Sequence, residues 1–255
     1  MTVVPGFQDA HVHTPFGGLN RLRVRLHDAE TRDDYLRIIG DHARAHPGAG
    51  WITGGGWSMP QFPGGTPRKE DLDAVVPDRP VFLFNRDLHG AWLNSRALAA
   101  AGITAATPDP PDGRIERDPD TGEPTGTLHE GVAYWVNDHV VPPPSQTQWQ
   151  EAVLTGQQHL HSLGITGWQD AWVTPATQAA YRSLAEEGRL TGRVVGALWW
   201  DRHRGLDQIE ELVARRELAA PGFHPTTVKI MIDGVLENYT GALLEPYCDG
   251  CGGHT

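Results

Sequence analysis

From Ser145 onward the chain alternates helix-like and strand-like stretches, and this alternation limits its fold more than any other feature. A helix is expected over about 145–163, where Trp149, Val153, Leu160 and Leu163 supply an apolar face before Gly164 ends it. The strand Ile165–Asp170 follows, then a helix over about 175–187 closed by Gly188, then a strand from Arg193 to Trp200. A further helix at about 205–219 leads to an apolar strand over 226–232. Strands separated by helices join in parallel, so this stretch reads as βα units of an α/β fold.

The N-terminal part contributes one more unit and an interruption. A short strand is expected over 2–13. Thr31-Arg32-Asp33-Asp34 then opens a helix: Thr31 can cap it, the two acids suit its positive end, and Tyr35, Leu36, Ile38 and Ile39 form its apolar face. Pro47-Gly48 closes it. Residues 48–144 are dense in Gly, Pro and Trp, with short strands such as Val81–Phe84. Segments 113–116 and 126–128 flank a hairpin-like excursion, and Pro142-Pro143-Pro144 forms a stiff joint. The expected organisation is a first βα unit over 1–47, an inserted α+β subdomain over 48–144, and βα units two to four over 145–255.

Composition narrows the partners. A net charge of −11 argues against a polyanion partner, because nucleic-acid binders usually carry a basic patch. No apolar run approaches the roughly 18 residues of a membrane span, and no signal peptide precedes the first strand. The expectation is a cytoplasmic protein with a small-molecule substrate, no nucleic acid and no membrane. Cys248 and Cys251 form a C-x-x-C without a second pair, which reads as two reduced loop thiols.

Two features carry chemistry. His11 and His13 end the first strand at i, i+2, and alternation turns both toward one face, as two imidazoles binding one divalent metal require. The plain alternative is a pair of surface histidines. His159 and His161 repeat the spacing on a helix, where such residues do not share a face, and are set aside. Of the 21 basic residues, only Lys69 and Lys229 are lysine. Lys69 lies in a polar run, whereas Lys229 interrupts an apolar strand where a cation is costly to bury. Either it snorkels or pairs with Asp233, or burial favours its neutral amine. Arginine, always protonated, cannot supply that form.

The segment P-G-F-Q-D-A-H-V-H at 5–13 resembles the first strand of the amidohydrolase superfamily. G-W-S at 56–58, H-G-A-W-L-N-S-R-A-L at 89–98, P-T-G-T-L-H-E at 124–130, G-I-T at 164–166 and V-K-I-M-I-D-G-V at 228–235 are similar to its amidohydrolase-3 branch, which includes N-substituted formamide deformylases. The resemblance covers nearly the whole chain. It implies a partial TIM-type (β/α)8 barrel, of which the chain holds about the first four βα units. It also implies hydrolysis of non-peptide carbon–nitrogen bonds (amide, formamide or cyclic amide) by metal-activated hydroxide.

The implied metal ligands are His11, His13 and a carboxylated Lys229, holding one or two divalent ions. Zinc is the default, with manganese, iron and cobalt as alternatives. The family's remaining histidines, and the aspartate that serves as general base, would lie beyond Thr255. No catalytic base is therefore assigned, and the chain is expected to be a fragment of a longer enzyme, a homo-oligomer when full length. Candidate substrate-binding residues are His89, Trp57 and Asp233; His89 either bonds a substrate carbonyl or caps the helix near Asn94. Asp170 either orients ligands or caps the next turn, and Glu130 reads as an acid at a helix start. The rival readings are an inactive barrel fragment with weak metal binding, and a one-metal deaminase of the same superfamily.

Overall fold

The structure is a computed structural model that describes residues 3–232 and 242–244. Asp233, Cys248 and Cys251, named above, lie outside the described residues. The chain divides into two compact units, Met1–Pro15 with Trp149–Thr255, and Phe16–Gln148. The first strand, β1 (Phe7–Val12), belongs to the former and α1 (Thr14–Leu22) carries the chain out of it.

The second unit is built on a mixed sheet of six strands: β2 (Val24–Arg25), β3 (Ile52–Trp57), β4 (Val81–Asn85), β5 (Gly90–Leu93), β6 (Gly113–Arg117) and β7 (Pro124–Glu130). Their spatial order is β2-β3-β4-β5-β7-β6, parallel from β2 to β4 and antiparallel thereafter. Four helices complete it: α2 (Arg32–Ala45), α3 (Lys69–Val75), α4 (Ser95–Ala100) and α5 (Gly131–His139).

Alternation along β4 and β5 feeds two cores. Val81, Leu83 and Trp92 join Tyr35, Ile39, Trp57 and Leu72 in one. Phe82, Ala91 and Leu93 join Leu98, Leu128 and Val136 in the other. Successive strand residues face opposite sides, so the sheet is covered on both faces. Thr31 caps α2 as expected, its hydroxyl accepting from Asp34 N at 3.1 Å. That helix was assigned to the first βα unit, however; here Tyr35, Ile39 and Ala43 pack with Trp57 and Leu72. The boundary expected at 47/48 falls at 15/16.

The first unit resumes with α6 (Gln146–Ser162), β8 (Ile165–Val173), α7 (Pro175–Glu186), β9 (Arg193–Trp199), α8 (Ile209–Arg216) and β10 (Phe223–Lys229). Its four strands are all parallel, in the order β1-β8-β9-β10, the order in which the sequence places them. Tyr181 of α7 and Phe223 of β10 stack at 5.0 Å in the core, and Gly192 leaves room for the Trp168 ring. Four parallel strands make an open sheet, and closing even a small barrel takes about eight; no closed barrel occurs among the described residues. No described helix is long and apolar enough to cross a membrane.

Candidate metal centre

In a parallel sheet all strands end on the same side, and functional side chains gather there. His11 lies at the end of β1 and His13 just beyond it. Their rings meet edge to face, centroids 5.2 Å apart, as i, i+2 spacing on a strand requires. Asp9 fixes the backbone beneath them, its carboxylate accepting from His11 N at 2.9 Å. His13 in turn sets its ring against Trp172 at the end of β8, and Trp172 stacks at 4.5 Å on Trp199, the last residue of β9. Trp199 lies opposite Lys229, the last residue of β10. The strand ends thus carry His13, Trp172, Trp199 and Lys229 in spatial order.

Electrostatics ties the two ends of that row together. Burial lowers the His13 pKa from its ordinary value, and the charges of His11 and then Lys229 lower it further. His13 is therefore a neutral imidazole near pH 7, the form a metal ligand needs. Its Nδ1 is buried and has no hydrogen-bond partner among the described residues. Lys229 is half-buried at the strand end. These residues fit a divalent cation in part: two imidazoles supply neutral donors, whereas the lysine ammonium repels a cation until it is converted to a carbamate. Among the described residues no three His, Cys, Asp or Glu side chains are grouped to hold a metal ion.

The remaining candidates separate cleanly. Trp57, expected to wall a pocket, is 1% exposed; its indole N–H donates to Leu83 O at 2.8 Å, and it packs on Phe62 and Trp92. It is a core residue, because the Gly-rich run before it is a strand, not a loop. Asp170 neither faces solvent nor caps α7, whose cap is Thr174. It is fully buried, accepting from the Tyr181 hydroxyl at 2.7 Å and from Trp172 N at 3.1 Å.

His89 does not cap α4 either, since Asn94 does, accepting from Ala97 N at 3.0 Å. In the second unit His89 Nδ1 lies 3.0 Å from Glu130 Oε2, and the Tyr134 hydroxyl is 3.3 Å from the same nitrogen. Glu130 raises the His89 pKa through that bond. Leu88 and Glu130 are the two non-glycine residues with left-handed φ among those described, at 68° and 53°. Such backbone strain gathers at functional positions. No local pattern marks this pairing, because the partners are 41 positions apart.

The model of the Amidohydrolase family matches residues 1–255. This chain belongs to the amidohydrolase family. It is 34% identical over 253 residues to YtcJ of Bacillus subtilis (strain 168), covering 96% of this chain and 46% of that protein. It is 34% identical over 199 residues to the N-substituted formamide deformylase of Arthrobacter pascens, covering 74% of this chain and 36% of the other. A crystal structure of an uncharacterized metal-dependent hydrolase from Pyrococcus furiosus superposes with a TM-score of 0.71 at 25% identity, covering 95% of this chain and 47% of that one. This amidohydrolase chain thus spans about half the length of YtcJ and of the P. furiosus protein.

Proposed function

We propose that this chain carries the first part of the active site of a metal-dependent hydrolase that cleaves non-peptide carbon–nitrogen bonds in a small amide, formamide or cyclic amide. The observation that carries the reading is the row of strand ends in which His11 ends β1 with His13 just beyond it, Trp172 and Trp199 follow, and Lys229 ends β10 opposite Trp199. Kinship with an N-substituted formamide deformylase favours an amide-like carbon over other electrophiles. On this reading the four-stranded sheet is part of a TIM-type barrel.

The side chains have separate tasks. His11 and His13 would hold a divalent ion, zinc by default, through neutral ring nitrogens. Lys229 would join them after its ammonium gives one proton to solvent and the neutral amine attacks carbon dioxide: a nitrogen–carbon bond forms as one carbon–oxygen π bond breaks, a second proton leaves to solvent, and the former cation is a carbamate anion with two oxygen donors. A bound divalent ion supplies a water of lowered pKa and polarises a carbonyl. Trp172 and Trp199 place flat apolar surface along the row between the imidazoles and the amine.

Metal content and amide or formamide turnover of the 255-residue chain test the proposal, with Lys229→Ala alongside. The expected result is bound divalent metal that falls in His11→Ala, His13→Ala and Lys229→Ala, with turnover falling in step. Unchanged metal content and activity in Lys229→Ala would instead support a one-metal deaminase. Weak metal binding without turnover would support the inactive-fragment reading.

A further inference from the structure

The segment Arg23-Val24-Arg25-Leu26-His27 alternates strictly in burial. Val24 and Leu26 are 1% and 0% exposed in the core of the second unit, while Arg25 and His27 are exposed and Arg23 is half-buried. Strand geometry therefore sets two guanidinium groups and an imidazole on one face of β2, an edge of the six-stranded sheet. Arg86, following β4, joins them, its guanidinium donating to the His27 carbonyl. These side chains and Arg21 line a cavity of about 440 Å³, the size of a small-molecule site, and none of its lining residues is Asp or Glu. A chain of net charge −11 thus gathers four arginines around one cavity.

Packing explains part of this wall but not all of it. Gly54 lets β3 approach the Val24 backbone, and Gly56 makes room for the His27 ring. Arg25 is neutralised by Asp28 at 2.8 Å. Arg23 is different: burial disfavours its charge, and no partner offsets that among the described residues. A buried cation without a counter-ion is costly unless an anion arrives to pair with it. Besides Asn20 and glycines, the rest of the lining includes apolar surface from Phe84 and from Leu88, whose φ is left-handed and whose side chain is 58% exposed.

We propose that this cavity binds an organic carboxylate, its anion held by Arg23 and Arg86 and its hydrocarbon part laid along Phe84 and Leu88. A planar guanidinium fork matches a carboxylate bidentately, and the apolar flank favours an organic acid over inorganic phosphate. The site is independent of the metal centre proposed above.

Calorimetric titration of the 255-residue chain with phenylacetate, and separately with inorganic phosphate at equal ionic strength, tests it. Phenylacetate is expected to bind more tightly than phosphate, and Arg23→Gln to weaken it at least tenfold. The surface variant Arg202→Gln should leave binding unchanged. Since Arg23 makes no bond to lose among the described residues, Arg23→Gln without ligand should melt no lower than the parent. Absent phenylacetate binding, equal affinity for phosphate, binding untouched by Arg23→Gln, or a lowered melting temperature in that variant would each overturn the proposal.

Discussion

His13 presents its ring edge to Trp172, with centroids 5.9 Å apart, and Trp172 stacks on Trp199 at 4.5 Å. The metal site proposed at His11 and His13 therefore has a spectroscopic reporter in direct contact with one ligand. Adding Zn²⁺ is expected to change tryptophan emission of the 255-residue chain. The change should vanish in His13→Ala and shrink sharply in Trp172→Phe, which keeps an aromatic ring on Trp199. A fluorescence titration of the three proteins checks this. An undiminished change in Trp172→Phe would place metal elsewhere.

Backbone strain at Glu130 can be weighed against its contact. A non-glycine residue held at φ 53°, ψ −129° costs about 1–3 kcal/mol. The His89 and Glu130 side chains are about half exposed, so their ion pair contributes little to stability. Glu130→Gly is thus expected to stabilise the fold by about 1 kcal/mol, measured by denaturant unfolding. In the same variant NMR titration should show the His89 pKa falling back toward its ordinary value, because its bond to Glu130 is the main cause of the rise. Destabilisation by Glu130→Gly would show that the contact outweighs the strain.

One buried and one half-buried titratable group should oppose each other in acid. Burial raises the Asp170 carboxyl to about 7, against the lowering effect of its bonds from Tyr181 and Trp172. Unfolding frees it to ionise at its ordinary 3.8, so its burial costs nothing below that pH and progressively more as pH rises toward 7. His42 runs the other way: burial, then His46 and Arg79, lower it from 6.5 to about 4. Its contribution is complete above 6.5 and is lost as pH falls toward 4. Asp170→Asn should therefore compare better with the parent at pH 8 than at pH 4, by at most a few kcal/mol. His42→Gln should lose less stability than the parent between pH 6.5 and 4.5. Unfolding curves across that range, followed separately for the two units, test both signs.

Gly192→Ala probes the packing beneath the metal centre. A Cβ there would sit 2.1 Å from the Trp168 ring, which is 3% exposed and cannot swing into solvent. Overpacking of this kind costs about 1–3 kcal/mol. A lowered melting temperature, restored in the double variant with Trp168→Phe, is the expected result.

Much of the first unit was legible because helices between strands dictate parallel neighbours, and the order of β1, β8, β9 and β10 followed directly. The start of β10 was misplaced by three residues for a physical reason. Pro225 lacks an N–H and reads as a strand breaker, yet β10 pairs only with β9 on one side, and its register shifts between His224 and Thr227, where an edge strand tolerates proline. The destination of α2 was not legible, since an amphipathic face records that it will be buried but not against which sheet. Trp57 was misread because Gly54-Gly55-Gly56 resembles a loop; in fact a Cβ at Gly54 would lie 2.1 Å from the Val24 carbonyl, so glycine there permits close strand contact. Of the candidate site, His11, His13 and Lys229 were visible from spacing and from the rarity of lysine. The intervening tryptophans were not, because their alignment depends on register between strands.

The imidazole pair and the amine stand on the two outermost strands, with β8 and β9 between them. At about 4.8 Å per strand step, a flat sheet would hold their backbones roughly 14 Å apart, so how closely their tips converge depends on the coiling of the whole sheet. Gly196, where a Cβ would press on Phe223 at 3.1 Å, lies on one of the middle strands that set that curvature. The proposed metal-binding geometry is in this sense an elastic property of the scaffold, adjustable by substitutions that never touch a ligand.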